Sequence, residues 1–241
     1  MTTAANNSAV IGFQAVGNWF IPDSTQRQGL GTVLSVIDPF WGGQELIYVS
    51  FPASTAVKVG TTVVVDTNFS ATAVPNTANL GQPVAFVLNA VPSVAAVQYG
   101  WALVSGKIPA FSSASVAANA QIGIVAAGQL GANSAGKEIV GSKVQAAATT
   151  TVAKSNVVTQ NGSPTIRASN TDGWFVGMAV SGTGIPASTT LLSLDPDNRT
   201  AVMSANATAT GAVTVTGTYN DGTNFWNVLY VDRPTAQGAI T

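Results

Sequence analysis

Gln98-Tyr99-Gly100-Trp101-Ala102-Leu103-Val104-Ser105-Gly106-Lys107-Ile108-Pro109-Ala110 is the stretch that decides the fold. Tyr99, Trp101 and Leu103 recur at every second position with small residues between them, which is the period of a strand with one face toward a core. Gly106 permits a bend and Pro109 brings no backbone N–H, so the sequence predicts a strand of about six residues that ends in a turn. Short runs of the same kind, broken by Gly, Pro and Asn, recur from Val33 to Val231. They predict an all-β chain.

Working outward toward the N-terminus, Val84 to Val91 is a near-continuous apolar run, the pattern of a strand buried on both faces, and Pro92 closes it. Thr61 to Asp66 is a β-branched strand after the turn Val57-Lys58-Val59-Gly60. Glu45 to Phe51 and Thr32 to Asp38 are two more, joined by Pro39-Phe40-Trp41-Gly42-Gly43 as a turn. Residues 1–31 show little alternation but hold an apolar knot at Trp19-Phe20-Ile21-Pro22. This segment reads either as a first strand with Trp19 tucked into its own core or as an extended arm that docks on a neighbour, in which case Trp19, Phe20 and Ile21 are the partner-binding residues.

Toward the C-terminus the pattern weakens through Ser112 to Gly141, where scattered Ser, Asn and Gly argue for short strands and loops over helix. Ala146 to Asn156, small and low in complexity, reads as a linker. A second unit follows, with short strands expected at Thr165-Ile166-Arg167, Phe175 to Val180, Thr189 to Leu194, Thr200 to Met203 and Val213 to Thr216, and one more from Asn224 to Asp232 before a frayed end at Pro234. The division expected is therefore an arm over 1–31, a β domain over 32–154 and a small β-sandwich or barrel over 155–241.

Composition narrows the functional classes. Only 8% of residues are charged and the net charge is −1, so there is no electrostatic footprint for nucleic acid or an anionic membrane. A soluble chain normally carries about a quarter charged residues. A surface built instead from Thr, Ser, Asn, Ala and Gly points to assembly with other protein, ahead of the other reading, a monomer with a neutral hydroxyl-rich coat. The chain has no Cys and no His, which removes disulfides, thiolate nucleophiles, the commonest metal ligand and the usual general base. No apolar run reaches about 18 residues, and the first residues lack the basic start of a signal peptide, so the expectation is a protein made and used without Sec export.

The remaining constellations favour structure over chemistry. Asp195-Pro196-Asp197-Asn198 groups oxygen ligands but lacks a following bidentate acid, so it reads as a turn and no metal site is expected. Asp172-Gly173 and Asp221-Gly222 are turn signals as well. Glu45 and Glu138, the only glutamates, have settings that suggest no shared cleft. Serines have no His to activate them and no Gly-x-Ser-x-Gly elbow, and Gly182-x-Gly184 lacks the strand-to-helix setting of a phosphate loop. The expectation is no catalytic residue and no cofactor. Trp174-Phe175 and Phe225-Trp226 read as core aromatics ahead of the other reading, a platform for a sugar ring.

Four stretches together carry a family resemblance: the Trp-bearing Tyr99-Gly100-Trp101-Ala102-Leu103-Val104-Ser105-Gly106, then Gln121-Ile122-Gly123-Ile124, Ala126-Ala127-Gly128-Gln129-Leu130 and Ile139-Val140-Gly141. In this order they resemble the small β-barrel of tailed-phage capsid decoration, or cement, proteins, over about residues 40 to 150. Gly177 to Thr190 and Ala205 to Gly211 resemble a module that recurs in phage virion and tail-associated proteins. The long N-terminal segment and everything beyond residue 155 depart from the simplest decoration proteins. The resemblance implies a small β-barrel or β-tulip-like domain and a homotrimer on the outer surface of a virion capsid. Its partner there is the major capsid protein, whose neighbouring subunits it clamps. It further implies manufacture in the host cytoplasm and a structural role without catalysis. The competing expectation is a tail- or head-fibre adhesin that binds a host-surface glycan.

Overall fold

The computed structural model of the chain describes residues 22–38, 40–195 and 198–237. Every regular element in it is a strand. In chain order these are β1 (Val33–Asp38), β2 (Gly42–Phe51), β3 (Thr62–Val65), β4 (Ala71–Ala73), β5 (Val84–Val87), β6 (Gln98–Ser112), β7 (Ile122–Ala126) and β8 (Gln129–Ala132). They continue as β9 (Ile139–Ala146), β10 (Thr151–Thr159), β11 (Thr165–Arg167), β12 (Ala179–Gly182), β13 (Leu191–Asp195), β14 (Thr200–Met203), β15 (Gly211–Thr218) and β16 (Phe225–Ala236). The all-β expectation holds.

The organising strand is longer than its sequence predicts, because β6 runs 15 residues through both Gly106 and Pro109. Gly106 is a bend inside the strand, at φ +119°, and a Cβ there would stand 2.9 Å from both the Gln44 Cγ and the Gly43 carbonyl oxygen. Only glycine fits that approach. Pro109 lies opposite Val228 in the β6–β16 ladder. The Phe111 N–H donates to the Gly60 carbonyl, on the flank away from β16, and strand alternation aims the nitrogen two residues earlier the same way. The N–H that Pro109 lacks is therefore one that the β16 ladder never needs.

The first sheet follows the order β1-β2-β6-β5-β3-β4, with β16, β9, β8 and β7 branching from β6. Ser50 of β2 bridges Ser70, next to β4, and its N–H donates to the Phe69 carbonyl at 3.0 Å, so the run from β2 to β4 curls back on itself. Each of these five strands points residues into the enclosed core: Val49 and Phe51, Ala102, Ala85 and Val87, Val63, and Ala71. The alanines keep so narrow an interior filled without overpacking. The other face of the same strands carries Leu46, Tyr48, Phe86, Trp101 and Leu103, against which β7, β8, β9 and β16 lay Ile122, Ile124, Leu130, Ile139, Val144, Leu229 and Val231. All of β5 is buried, as its continuous apolar run predicts.

The second sheet has the order β12-β15-β10-β11-β14-β13. Its two edges meet where Ala179 bridges Thr190 and the Val180 N–H donates to the Thr189 carbonyl at 2.9 Å. Two elements correct the sequence reading. The linker expected over Ala146 to Asn156 contains the end of β9, a tight turn in which Thr150 bonds back to the Ala147 carbonyl, and the first half of β10. The residue-154 boundary thus falls inside a strand paired with β15 from Thr151↔Thr218 to Thr159↔Gly211. The final strand, assigned by sequence to the second unit, is β16, which pairs with β6 and β9 in the first sheet. Nor does it fray at Pro234: a register shift between Val231 and Thr235 places that proline in a bulge, and Thr235 pairs again with Val140.

The second sheet is therefore an insertion between β9 and β16, and it shares a core with the first. Val59, Trp226 and Val228 from one side cluster with Val157, Ile166, Trp174, Phe175, Met178, Val215 and Tyr219 from the other. The Trp226 ring stands 5.1 Å from Phe175 and 5.9 Å from Phe111, and its indole N–H donates to the Val59 carbonyl at 3.0 Å. Tyr219 donates its hydroxyl to the Gly173 carbonyl at 3.1 Å, and burial pushes its phenol far above the usual range.

The β1–β2 hairpin adds a buried acid to this joint. Asp38 Oδ1 accepts the N–H groups of Phe40 and Trp41, both at 2.8 Å, while Oδ2 is buried with no hydrogen-bond partner. Burial raises the Asp38 pKa and the nearby Asp172 carboxylate adds to the rise, against the two N–H bonds that oppose it. A raised folded-state value means that the folded protein holds this proton more tightly than the unfolded chain. The associated stability is present in acid and is lost as pH climbs from the ordinary carboxylate range, near 3.8, through the raised value. Asp38→Asn keeps the acceptor oxygen and removes the charge, so it should raise the melting temperature at pH 7, with the gap closing below pH 4. Asp38→Ala, which strands both N–H groups, should lower stability by about 1–3 kcal/mol. Thermal melts across this pH range check both.

Candidate interaction surfaces

The partner-binding residues expected from sequence, Trp19, Phe20 and Ile21, lie outside the described residues. The chain comes into view at Pro22, beside Phe51, Val87 and Trp101. Asp23 and Tyr99 then exchange both backbone hydrogen bonds, at 3.0 and 2.7 Å. The Arg27 N–H donates to the Tyr48 hydroxyl at 3.1 Å, the Gly31 N–H to the Tyr48 carbonyl at 2.9 Å, and Leu30 packs on the main core. Asp23 also pairs with Arg27, and hydrogen bonds from Thr25 and Arg27 hold its carboxyl below the usual range. Of the arm expected over 1–31, residues 22–31 are thus bound along the first sheet by backbone pairing that has no signature in side-chain alternation.

Where this segment ends, β1 begins, and β1 carries the most exposed large apolar residue among those described. Among the described residues it lies at the end of the sheet order and pairs only with β2. Leu34 and Val36 turn inward onto the main core, while on the opposite face Val33 is 50% and Ile37 79% exposed; Phe40, in the hairpin turn, is 43% exposed. In the sequence Val33-Leu34-Ser35-Val36-Ile37 apolar residues occupy both parities, which hides the fact that one face is open. Val140, Val158, Leu192 and Tyr230 are also exposed, but each lies on a different strand, and single exposed apolar residues are ordinary.

The other candidates resolve into structure. Trp174, Phe175 and Trp226 are at most 5% exposed, so these rings belong to the shared core and present no platform for a sugar. Asp195 accepts the backbone and side-chain N–H groups of Asn198 at 3.0 and 2.7 Å, and Asp221 does the same for Thr223 and Asn224, which is turn chemistry. Glu45 pairs with Arg233 at 2.8 Å across exposed surface, a contact worth little to stability. The cavity beside Pro22 and Trp101 and another beside Trp41, Val59 and Trp174 each have room for about one water molecule. Among the described residues no group of three or more acidic side chains could hold a metal ion, and no helix is long and apolar enough to cross a membrane.

What the sequence could not expose was the residue that holds this architecture at its branch point. Asn227 is completely buried. Its Oδ1 accepts the N–H groups of Val116 and Ala148 at 2.9 and 3.0 Å, and its Nδ2 donates to the Ala114 carbonyl at 2.9 Å. One side chain thereby ties the loop after β6 and the turn after β9 to β16. No protein-family model matches the chain, and neither a curated protein nor a solved structure does.

Proposed function

We propose that this chain is a structural virion protein, a cement protein of a tailed-phage head that sits on the outer capsid surface as a homotrimer and clamps neighbouring major capsid subunits. The observation that carries the proposal is how the four stretches of the decoration-protein resemblance come together. Trp101 and Leu103, Ile122 and Ile124, Leu130, and Ile139 all enter one core cluster, which supports reading the four stretches as parts of one unit. The nearly uncharged surface supports it, since close contact with a protein shell then requires little charge desolvation. Such a clamp binds the assembled lattice only, and so stabilises it by mass action without any reaction.

A gel of purified virions tests this reading. The chain should stain at an intensity comparable to the major capsid protein, and particles lacking it should release DNA at a lower temperature. Deleting residues 1–21, which leaves the contacts of Asp23, Arg27 and Leu30 intact, should weaken attachment while the free protein keeps its circular dichroism spectrum and still melts cooperatively. A faint band, together with particles that are thermally robust yet fail to adsorb to cells, would establish the adhesin instead.

A further inference from the structure

We propose that residues 9–16 of one copy, Ala9-Val10-Ile11-Gly12-Phe13-Gln14-Ala15-Val16, add as a strand to the open edge of β1 in a second copy. The edge itself calls for a strand. The Thr32 carbonyl accepts the Tyr48 N–H, so by alternation Leu34, Val36 and Asp38 face β2 with their backbone groups, and those of Val33, Ser35 and Ile37 face outward. Natural sheets blunt such an edge with lysine, proline, a bulge or an inward-pointing charge that remains hydrated. None of these interrupts β1. Its register with β2 is unbroken over six pairs, and its one charged residue, Asp38, is 1% exposed with its carboxylate bound to the hairpin's own N–H groups.

The chain's own N-terminus suits that edge. The first charged residue is Asp23 and no proline precedes Pro22, so no charged side chain has to shed a hydration shell beside Val33 and Ile37 and no backbone N–H is missing from the ladder; Gly12 is the weakest strand former in 9–16. Within 9–16, Ile11 and Phe13 fall on one face at period two, where they can lie next to the two exposed side chains of β1.

The topology selects a second copy over the same one. Tyr99 pairs with Ser50 on its β2 flank, so Asp23, its other partner, lies on the opposite flank of β6. Both β2 and β6 therefore separate the start of the described chain from its own β1 edge, and residues 23–32 already occupy the route between them. Residues 17–21, which join this strand to Pro22, reach about 17 Å when extended, the span suited to a molecule packed directly against this one. Repeated head to tail around an axis, the contact closes a ring, which is how it deepens the trimer of the proposed function. It needs no capsid and can be tested without one.

Sedimentation of the free full-length protein at tens of micromolar should show an oligomer. Ile37→Lys, which alters a side chain already 79% exposed, should give a monomer with unchanged circular dichroism, and so should deletion of residues 1–21; both should still melt cooperatively, at a temperature lowered only by what association contributed to the parent. A labelled peptide of residues 5–18 should bind the deleted protein and bind its Ile37→Lys form at least about tenfold more weakly. A monomeric full-length chain overturns the proposal, whether its arm is free or folded onto its own edge. So does an Ile37→Lys variant that associates like the parent, or a peptide that binds both deleted proteins equally. None of these results bears on capsid attachment, which the virion gel measures separately.

Discussion

A chain ending at Lys154 should fail to fold, whereas a chain lacking residues 151–218, with Thr150 joined to Tyr219 through two glycines, should keep the first sheet. The two truncations differ above all in what they do to β16. Ending at Lys154 deletes Trp226, Val228, Leu229 and Val231, each at most 5% exposed, and leaves β6 and β9 without the strand that joins them. At about 1.5–3 kcal/mol for each buried side chain this amounts to about 6–12 kcal/mol, as large as the whole stability of a typical domain, about 5–15 kcal/mol. The excision avoids that loss because the inserted sheet leaves and returns at one place: Thr151 pairs with Thr218 and the Tyr219 N–H reaches the Thr150 carbonyl at 3.2 Å. It does uncover Val59, Phe111 and Trp226, so the excised chain should melt cooperatively at a lower temperature than the parent. A cooperative melt for the chain ending at Lys154 would show the topology described here to be wrong.

Asn227→Leu should be strongly destabilising. The two side chains branch alike but leucine is bulkier, so the site is overpacked, and the N–H groups of Val116 and Ala148 and the carbonyl of Ala114 lose their partners inside the fold. At about 1–3 kcal/mol for each stranded group, partly relieved by relaxation, the loss is about 3–6 kcal/mol. In a chain of this length that lowers the melting temperature by about 10–20 °C. Asn227→Asp separates hydrogen bonding from shape. Protonated, the carboxyl can still donate to Ala114 and accept from the other two; ionised, it loses the donor and buries a charge. Its folded-state pKa should therefore be raised, and the variant should approach the parent in acid and fall away as pH rises. A pH-independent deficit equal to that of the leucine variant would argue against the network.

Much of the strand content was legible because it is local. Thr200 to Met203 and Thr165 to Arg167 coincide with β14 and β11, and the alternation of Tyr99, Trp101 and Leu103 placed those residues on the main core. The hidden parts share one cause. Ala146 to Asn156 reads as flexible because its residues are small and polar, yet Ala148 is fully buried under Asn227, and a small side chain is what that space admits. The proline in β6 reads as a stop because the flank its nitrogen faces cannot be seen in one dimension. Asn227 reads as one more polar residue in a strand because its three partners come from Ala114, Val116 and Ala148, far away along the chain.

Alternation, turn residues and the scarcity of charge, all properties of neighbours in sequence, determined by themselves that this chain is built of short strands with a neutral surface. Which strands pair was decided only by the tertiary structure, as were the insertion of the second sheet before β16, the aromatic core shared by the two sheets and the open edge left on β1. A strand's backbone donors and acceptors are the same whatever its side chains. Its partner is therefore chosen by cores that residues distant in sequence must fill together.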